Sequence, residues 1–226
     1  ANLLPGLATC PSCPLHENGF VVPGNGPPYA TVMVIGEAPG EHENEEGRPF
    51  VGQSGKLLTE LLMSAGFDRD DLYLTNVVKH WPGPRNPTPN AAQIKACLPW
   101  LTTEIAQVDP VVIITVGAVP ANAILGKVSL KKEHGLGRWV EVAGKERLVY
   151  TLYHPAAGMH RPELRLVVLN DFKALSKEPL HPPTNTTIWV DSLDEVPKPL
   201  PNKPMAIDLE TTSLDVETTE VVVVSI

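Results

Sequence analysis

The 226-residue chain is short of cysteine, of long apolar runs and of positive charge. Three cysteines, an odd number, are too few for a disulfide scaffold. The longest apolar run in the first 180 residues, Val111-Val112-Ile113-Ile114-Thr115-Val116, has strand length and is β-branched. Nothing reads as a transmembrane span or a signal peptide, so a soluble, cytoplasmic protein with no membrane partner is expected. Lys and Arg number 18 against 26 Asp and Glu, a net of −8, but the deficit is uneven. Residues 1–180 hold 16 against 18, and residues 181–226 hold 2 against 8. The first part can still gather positive charge on one face, so the balance neither supports nor excludes DNA. Also missing is a Gly-Lys-Ser/Thr ending to the glycine-rich loop GEAPGEHENEEGRPFVG (36–52). Its four glutamates between Gly40 and Gly47 would repel a nucleotide triphosphate, which excludes a phosphate-binding α/β domain.

What is present is an alternation. Strand-like runs fall near 31–36, 72–78, 111–116 and 148–153, with helical patterns at 54–65, 91–106 and 118–125 between them. Gly66 and Gly126 stand where helix C-caps are expected. This spacing predicts an α/β fold, a three-layer α/β/α sandwich with a mainly parallel central sheet. Functional loops of such sheets gather at the carboxyl ends of the strands, here beginning at Gly36, Val78, Gly117 and His154. The composition changes after Glu178. Residues 179–204 carry seven prolines and read as a linker interrupted by a short strand, Thr187-Ile188-Trp189-Val190. Residues 205–226 read as the C-terminal fragment of a second α/β domain, and the chain stops inside its apparent strand VVVVSI, as part of a longer polypeptide would.

Three stretches carry chemistry: CPSCPLH (10–16), GEAPGEHENEEGRPFVGQSG (36–55) with LTNVVKHWP (74–82), and YHPAAGMHR (153–161). In order and spacing they resemble the family 4 uracil-DNA glycosylases, over residues 5–178. The resemblance implies hydrolysis of the N-glycosidic bond of deoxyuridine in DNA, releasing uracil and leaving an abasic site. Phe50 is implied to stack on a flipped base, and the Asn76 amide to read O4 and N3–H. Alone, Phe50 would be a core residue and Asn76 a turn former; their joint placement in two matching motifs selects the pocket. His154 is implied to support negative charge on uracil O2, and Glu37 to orient water or stabilise the cationic sugar. Backbone amides around Ala38 and Gly40 are further donors to O2. The best reading of most of Glu41, Glu43, Glu45 and Glu46 is a solvated loop. Where the family reads HPS, this chain has Ala156, and Met159 is expected to fill the space left by the flipped base, with Arg161 on phosphate.

The resemblance also implies a [4Fe–4S] cluster. Cys10, Cys13 and Cys97 match three of its ligands, and His80 stands where the fourth cysteine belongs. A Cys₃His-ligated cluster is the favoured reading, with zinc or a lost site as alternatives. In the tail, MAIDLETTSLD (205–215) resembles the first motif of the DEDD 3′–5′ exonuclease domain of family A DNA polymerases. Asp208 and Glu210 would begin a Mg²⁺ site that the chain does not complete, so no exonuclease activity is expected of it. Together these imply a glycosylase domain ahead of a polymerase, in a bacterial or phage-infected cell. The competing readings are a non-catalytic uracil sensor and a module holding single-stranded template.

Overall fold

The computed structural model describes residues 4–175 and, beyond them, the strand segments 187–188, 209–211 and 221–225. The chain divides into two compact units, Ala1–His181 and Pro182–Ile226.

The first unit is built on one sheet of β1 (Val32–Gly36), β2 (Leu72–Asn76), β3 (Val112–Val116), β4 (Leu136–Val142) and β5 (Lys145–Leu152). Their order is β2-β1-β3-β5-β4, with β4 antiparallel to β5 and every other pairing parallel. The helices are α1 (Glu41–Glu46), α2 (Gln53–Ser64), α3 (Ala91–Val108), α4 (Ala118–Leu125), α5 (Leu130–Glu133), α6 (Pro155–His160) and α7 (Arg165–Ala174). Strands β1, β2 and β3 are buried at every position, as a parallel sheet covered on both faces requires. Alternate residues serve opposite faces. Val34, Leu74, Ile114 and Tyr150 pack with Leu58, Leu61 and Leu62 of α2 and Phe172 of α7. Met33, Ile35, Ile113 and Val149 pack with Leu101, Ile105 and Val108 of α3. Each such side chain, once buried, contributes about 1.5–3 kcal/mol. The expected α/β/α sandwich is therefore the one observed.

The helices expected at 54–65, 91–106 and 118–125 occur within two residues of those bounds. Strand β4 was not expected. Its hairpin turns at Ala143 (φ 51°) and Gly144 (φ 77°), and alanine in the left-handed region hides the Asn-Gly signal that normally marks such a turn.

In the second unit, β6 (Thr187–Ile188), β8 (Val221–Ser225) and β7 (Leu209–Thr211) form an antiparallel sheet in that order. Asp208 and most of the proline-rich stretch lie outside the described residues, and Glu210 is described only as backbone opposite Val223. Among the described residues, no helix is long and apolar enough to cross a membrane.

Candidate active site

The loops leaving β1, β2 and β5 enclose a cavity of about 240 Å³ at the carboxyl end of the sheet. Its volume is below the ~300–1,000 Å³ of sites for drug-sized ligands and suits one planar base. Glu37, Ala38, Gly40, Phe50, Asn76 and His154, all singled out from the sequence, line it together. Glu43, Ser54, Asn86 and Ala156 complete the wall. A larger depression of about 460 Å³ lies among Leu4, Phe20, Pro28, Tyr73 and Glu104. Both oxygens of its one acid, Glu104, are engaged within the protein, so it offers a ligand no free carboxylate.

The floor depends on a missing side chain. A Cβ on Gly36 would meet Asn76 Oδ1 at 2.4 Å and Phe50 Cζ at 2.6 Å, so only glycine lets the amide and the ring converge there. Phe50 is itself in the left-handed region (φ 57°), an uncommon conformation for a bulky residue. Two features hold it. Arg69 Nη2 donates to the carbonyls of Pro49 at 3.1 Å and Phe50 at 3.0 Å. Gly55 lets the Phe50 backbone approach, since a Cβ at residue 55 would lie 2.2 Å from the Phe50 carbonyl.

The solvated-loop reading holds for most of the four glutamates, and Glu43 is the exception. Glu41, Glu45 and Glu46 are exposed, but Glu43 is buried. It accepts from Gly40 N–H at 3.0 Å, Val51 N–H at 2.9 Å and Gly52 N–H at 2.8 Å, pinning both ends of the loop to one carboxylate. The Gly40 amide is thereby committed to Glu43, which leaves the Ala38 side of the loop to face a ligand. A signal for this existed in the sequence: Glu43 is the third residue of α1, where a capping acid reaches back to the N-cap amide.

His154 caps α6, its Nδ1 accepting from Ala156 N–H at 3.2 Å. That bond leaves Nε2 as the protonated nitrogen of a neutral ring. Burial lowers the pKa of His154, and the nearby Glu43 charge opposes the shift only in part. The strand end before it is braced: the Tyr153 ring packs on His134 at 4.8 Å, and His134 Nδ1 lies 2.8 Å from buried Asp171. Burial raises the pKa of Glu37, partly offset by a hydrogen bond with Thr88. Thr88 and Asn86 belong to the stretch after Gly83, in which Arg85 (φ 68°) and Asn86 (φ 48°) are both left-handed. The sequence reading missed Asn86 and Ser54, because no local pattern distinguishes a cavity-lining residue from any exposed polar one.

Met159 and Arg161 are exposed at the end of α6, beyond the cavity. Met159 borders an apolar depression shared with Leu57, Leu61 and Leu166, and Leu166 is 71% exposed against 43% for Met159. Leu166 is thus a second apolar projection that the sequence reading did not single out.

Cys10, Cys13 and Cys97 occupy one neighbourhood, and His80 follows Lys79, whose amide bonds to Cys97. Cys13 packs into the cluster that contains Cys97, and the Cys97 pKa, raised chiefly by burial, is raised further by the Cys13 and Cys10 charges. Trp100 Nε1–H donates to Cys10 Sγ at 3.2 Å, and the Lys79 amide bonds to Cys97. His80 is buried, and its Nδ1 has no hydrogen-bond partner. Among the described residues, no three His, Cys, Asp or Glu side chains stand at metal-binding distance. The donor types, the N–H groups aimed at sulfur and the unpartnered imidazole nitrogen nevertheless suit a soft metal centre.

Residues 23–173 match the model of the uracil DNA glycosylase superfamily. A type-4 uracil-DNA glycosylase of Sulfurisphaera tokodaii is 39% identical over 183 residues, covering 78% of this chain and 83% of the relative. One of Pyrobaculum aerophilum is 42% identical over 165 residues, covering 70% and 84%. A DNA polymerase of Bacillus phage SP01 is 27% identical over 154 residues, covering 68% of this chain and 16% of the polymerase. With this extent of match, and with the cavity assembled from the motifs that carry it, the chain belongs to the uracil DNA glycosylase superfamily and, within it, to the type-4 uracil-DNA glycosylases.

Proposed function

We propose that this chain hydrolyses the bond between N1 of uracil and C1′ of deoxyribose in DNA. The observation that carries the reading is the convergence of Phe50, Asn76 and His154 on one base-sized cavity. Phe50 stacks on the flipped ring, and the Asn76 amide pairs with O4 and N3–H. As the bond breaks, its electron pair goes to uracil. The neutral His154 donates from Nε2 to O2, with the amide at Ala38 as a second donor. Glu37, ionised, faces the cationic sugar and orients the water whose oxygen joins C1′, and the proton this water releases ends on the uracil anion. Met159 fills the gap in the stack, and Arg161 holds a phosphate.

Cys10, Cys13, Cys97 and His80 would hold a [4Fe–4S] cluster, His80 through the buried Nδ1. Bound there, the cluster supplies a structural tie between the N-terminal segment and the sheet. Similarity to a phage DNA polymerase and the Asp208–Glu210 motif support a setting at the front of a polymerase chain.

The test is alkaline strand cleavage of an oligonucleotide with a single uracil, against a uracil-free control. Uracil-dependent cleavage, lost in Asn76→Ala and in His154→Ala, is the expected result. No cleavage by folded, metal-replete protein would replace this reading with that of a uracil-binding module, the role that Ala156 in place of serine favours.

A further inference from the structure

Beneath Asn76 lies a charged pair that neither stacking nor base reading uses. Lys79, just past β2, and Glu104, on α3, are both fully buried. Lys79 Nζ donates to Glu104, to Thr75 Oγ1 at 2.6 Å and to the main-chain oxygen of Asn76 at 2.8 Å, which occupies all three ammonium protons. Glu104 also accepts from the Thr75 hydroxyl at 2.8 Å, the Tyr73 hydroxyl at 3.1 Å and Gly24 N–H at 3.0 Å. The Thr75 hydroxyl relays, accepting from the ammonium and donating to the carboxylate.

Stability alone does not account for such a pair. Two charges lose their hydration on burial, and apolar residues of similar volume often hold a core as well or better. What the ammonium does that an apolar side chain cannot is hold a main-chain oxygen. On its amide side, the segment after Asn76 is fixed by Val77 N–H to Gly36 O at 2.9 Å and by Val78 N–H to Glu37 O at 3.0 Å. On its carbonyl side, Lys79 is the anchor. The peptide that follows Asn76 is therefore held at both its oxygen and its N–H, and with it the aim of the Asn76 side chain. The anchor is tied in turn to the cysteine corner: the Lys79 amide bonds to Cys97, and its carbonyl accepts from Val22 N–H at 2.8 Å.

We propose that Lys79 and Glu104 are positioning residues for base recognition, holding the Asn76 amide in register with the edge of uracil. The inference rests on the reading of Asn76 as the base-reading group. Lys79→Met and Glu104→Gln test it, each made in the wild type and in an Asn76→Ala background. The quantities read are kcat/KM on uracil DNA, affinity for free uracil by calorimetry, affinity for abasic-site DNA, and thermal unfolding. With Asn76 present, each substitution lowers kcat/KM and free-uracil affinity roughly 10- to 100-fold, as a misaimed group does. Affinity for abasic DNA stays within about twofold, and in the Asn76→Ala background the further loss is below about twofold, because coupled residues do not add. Equal losses in both backgrounds, or parallel loss of abasic-DNA affinity, would overturn the proposal and leave a pair that only supports the fold. If Lys79→Met does not fold, Glu104→Gln, which keeps the volume and one acceptor oxygen, decides by the same criteria. Absence of excision by the wild type would overturn the catalytic reading instead, and the free-uracil affinities would then decide this one.

Discussion

The base cavity and the cysteine–histidine corner flank one short stretch, residues 76–80, yet they are finished differently. In the cavity, the polar groups have protein partners before any ligand arrives: Glu43 holds three amides, His154 accepts from Ala156, and the Asn76 carbonyl is held by Lys79. In the corner, His80 Nδ1 is buried with no partner, and the Cys10 and Cys97 sulfurs receive N–H donors. The cavity is preorganised by the chain, so changes there act on rate. The corner leaves a buried imidazole nitrogen without a protein partner, so changes there are expected to act on metal content and stability.

The largest effect expected from breaking this contrast is on the cavity side. Asn76→Ala and His154→Ala should each lower kcat/KM for uracil excision by about 10²–10³-fold, the usual cost of removing one preorganised donor, with thermal unfolding nearly unchanged. Next comes Glu43→Ala, which strands three amides. It should cost roughly 2–4 kcal/mol of unfolding free energy, read by urea titration, and lower excision through the loosened loop. On the corner side, His80→Ala should reduce iron and sulfide content in anaerobically purified protein and lower the unfolding temperature. His80→Cys should keep the iron and move its reduction potential downward, measured by spectroelectrochemistry, because thiolate in place of imidazole favours the oxidised cluster.

The smallest effect is the pH dependence, which sharpens the assignment of the two ionisable cavity residues. Glu37, raised by burial, must be ionised, and His154, lowered by burial, must be neutral. Both requirements fail toward acid, so kcat/KM should fall on the acid side only, Glu37 taking its proton within a raised carboxyl range. Glu37→Gln should remove that step and leave the one set by His154. For stability, the neutral buried imidazole contributes fully above its ordinary value of about 6.5, and that contribution is lost as pH falls through its depressed one.

Much of this was legible before any coordinates. The β-branched runs and the leucine spacing of α2 locate β1, β2, β3 and α2 within two residues, because strand and helix periods act locally. Phe50, Asn76 and His154 were legible through their motifs. Strand β4 was not, since its turn uses Ala143 where Asn would have announced it.

The sequence by itself determined the layered α/β architecture, the family and the chemical types of the groups in the cavity, all of which follow from short-range pattern. Only the tertiary structure decided which of four neighbouring glutamates is buried, that the Gly40 amide is already taken, that Asn86 and Ser54 line the cavity, and that Lys79 is spent on the Asn76 carbonyl. The physical reason is common to all four. Whether a polar group is free or engaged depends on partners brought near by chain crossings, and Glu104 reaches Lys79 across 25 residues of sequence that carry no trace of the pairing.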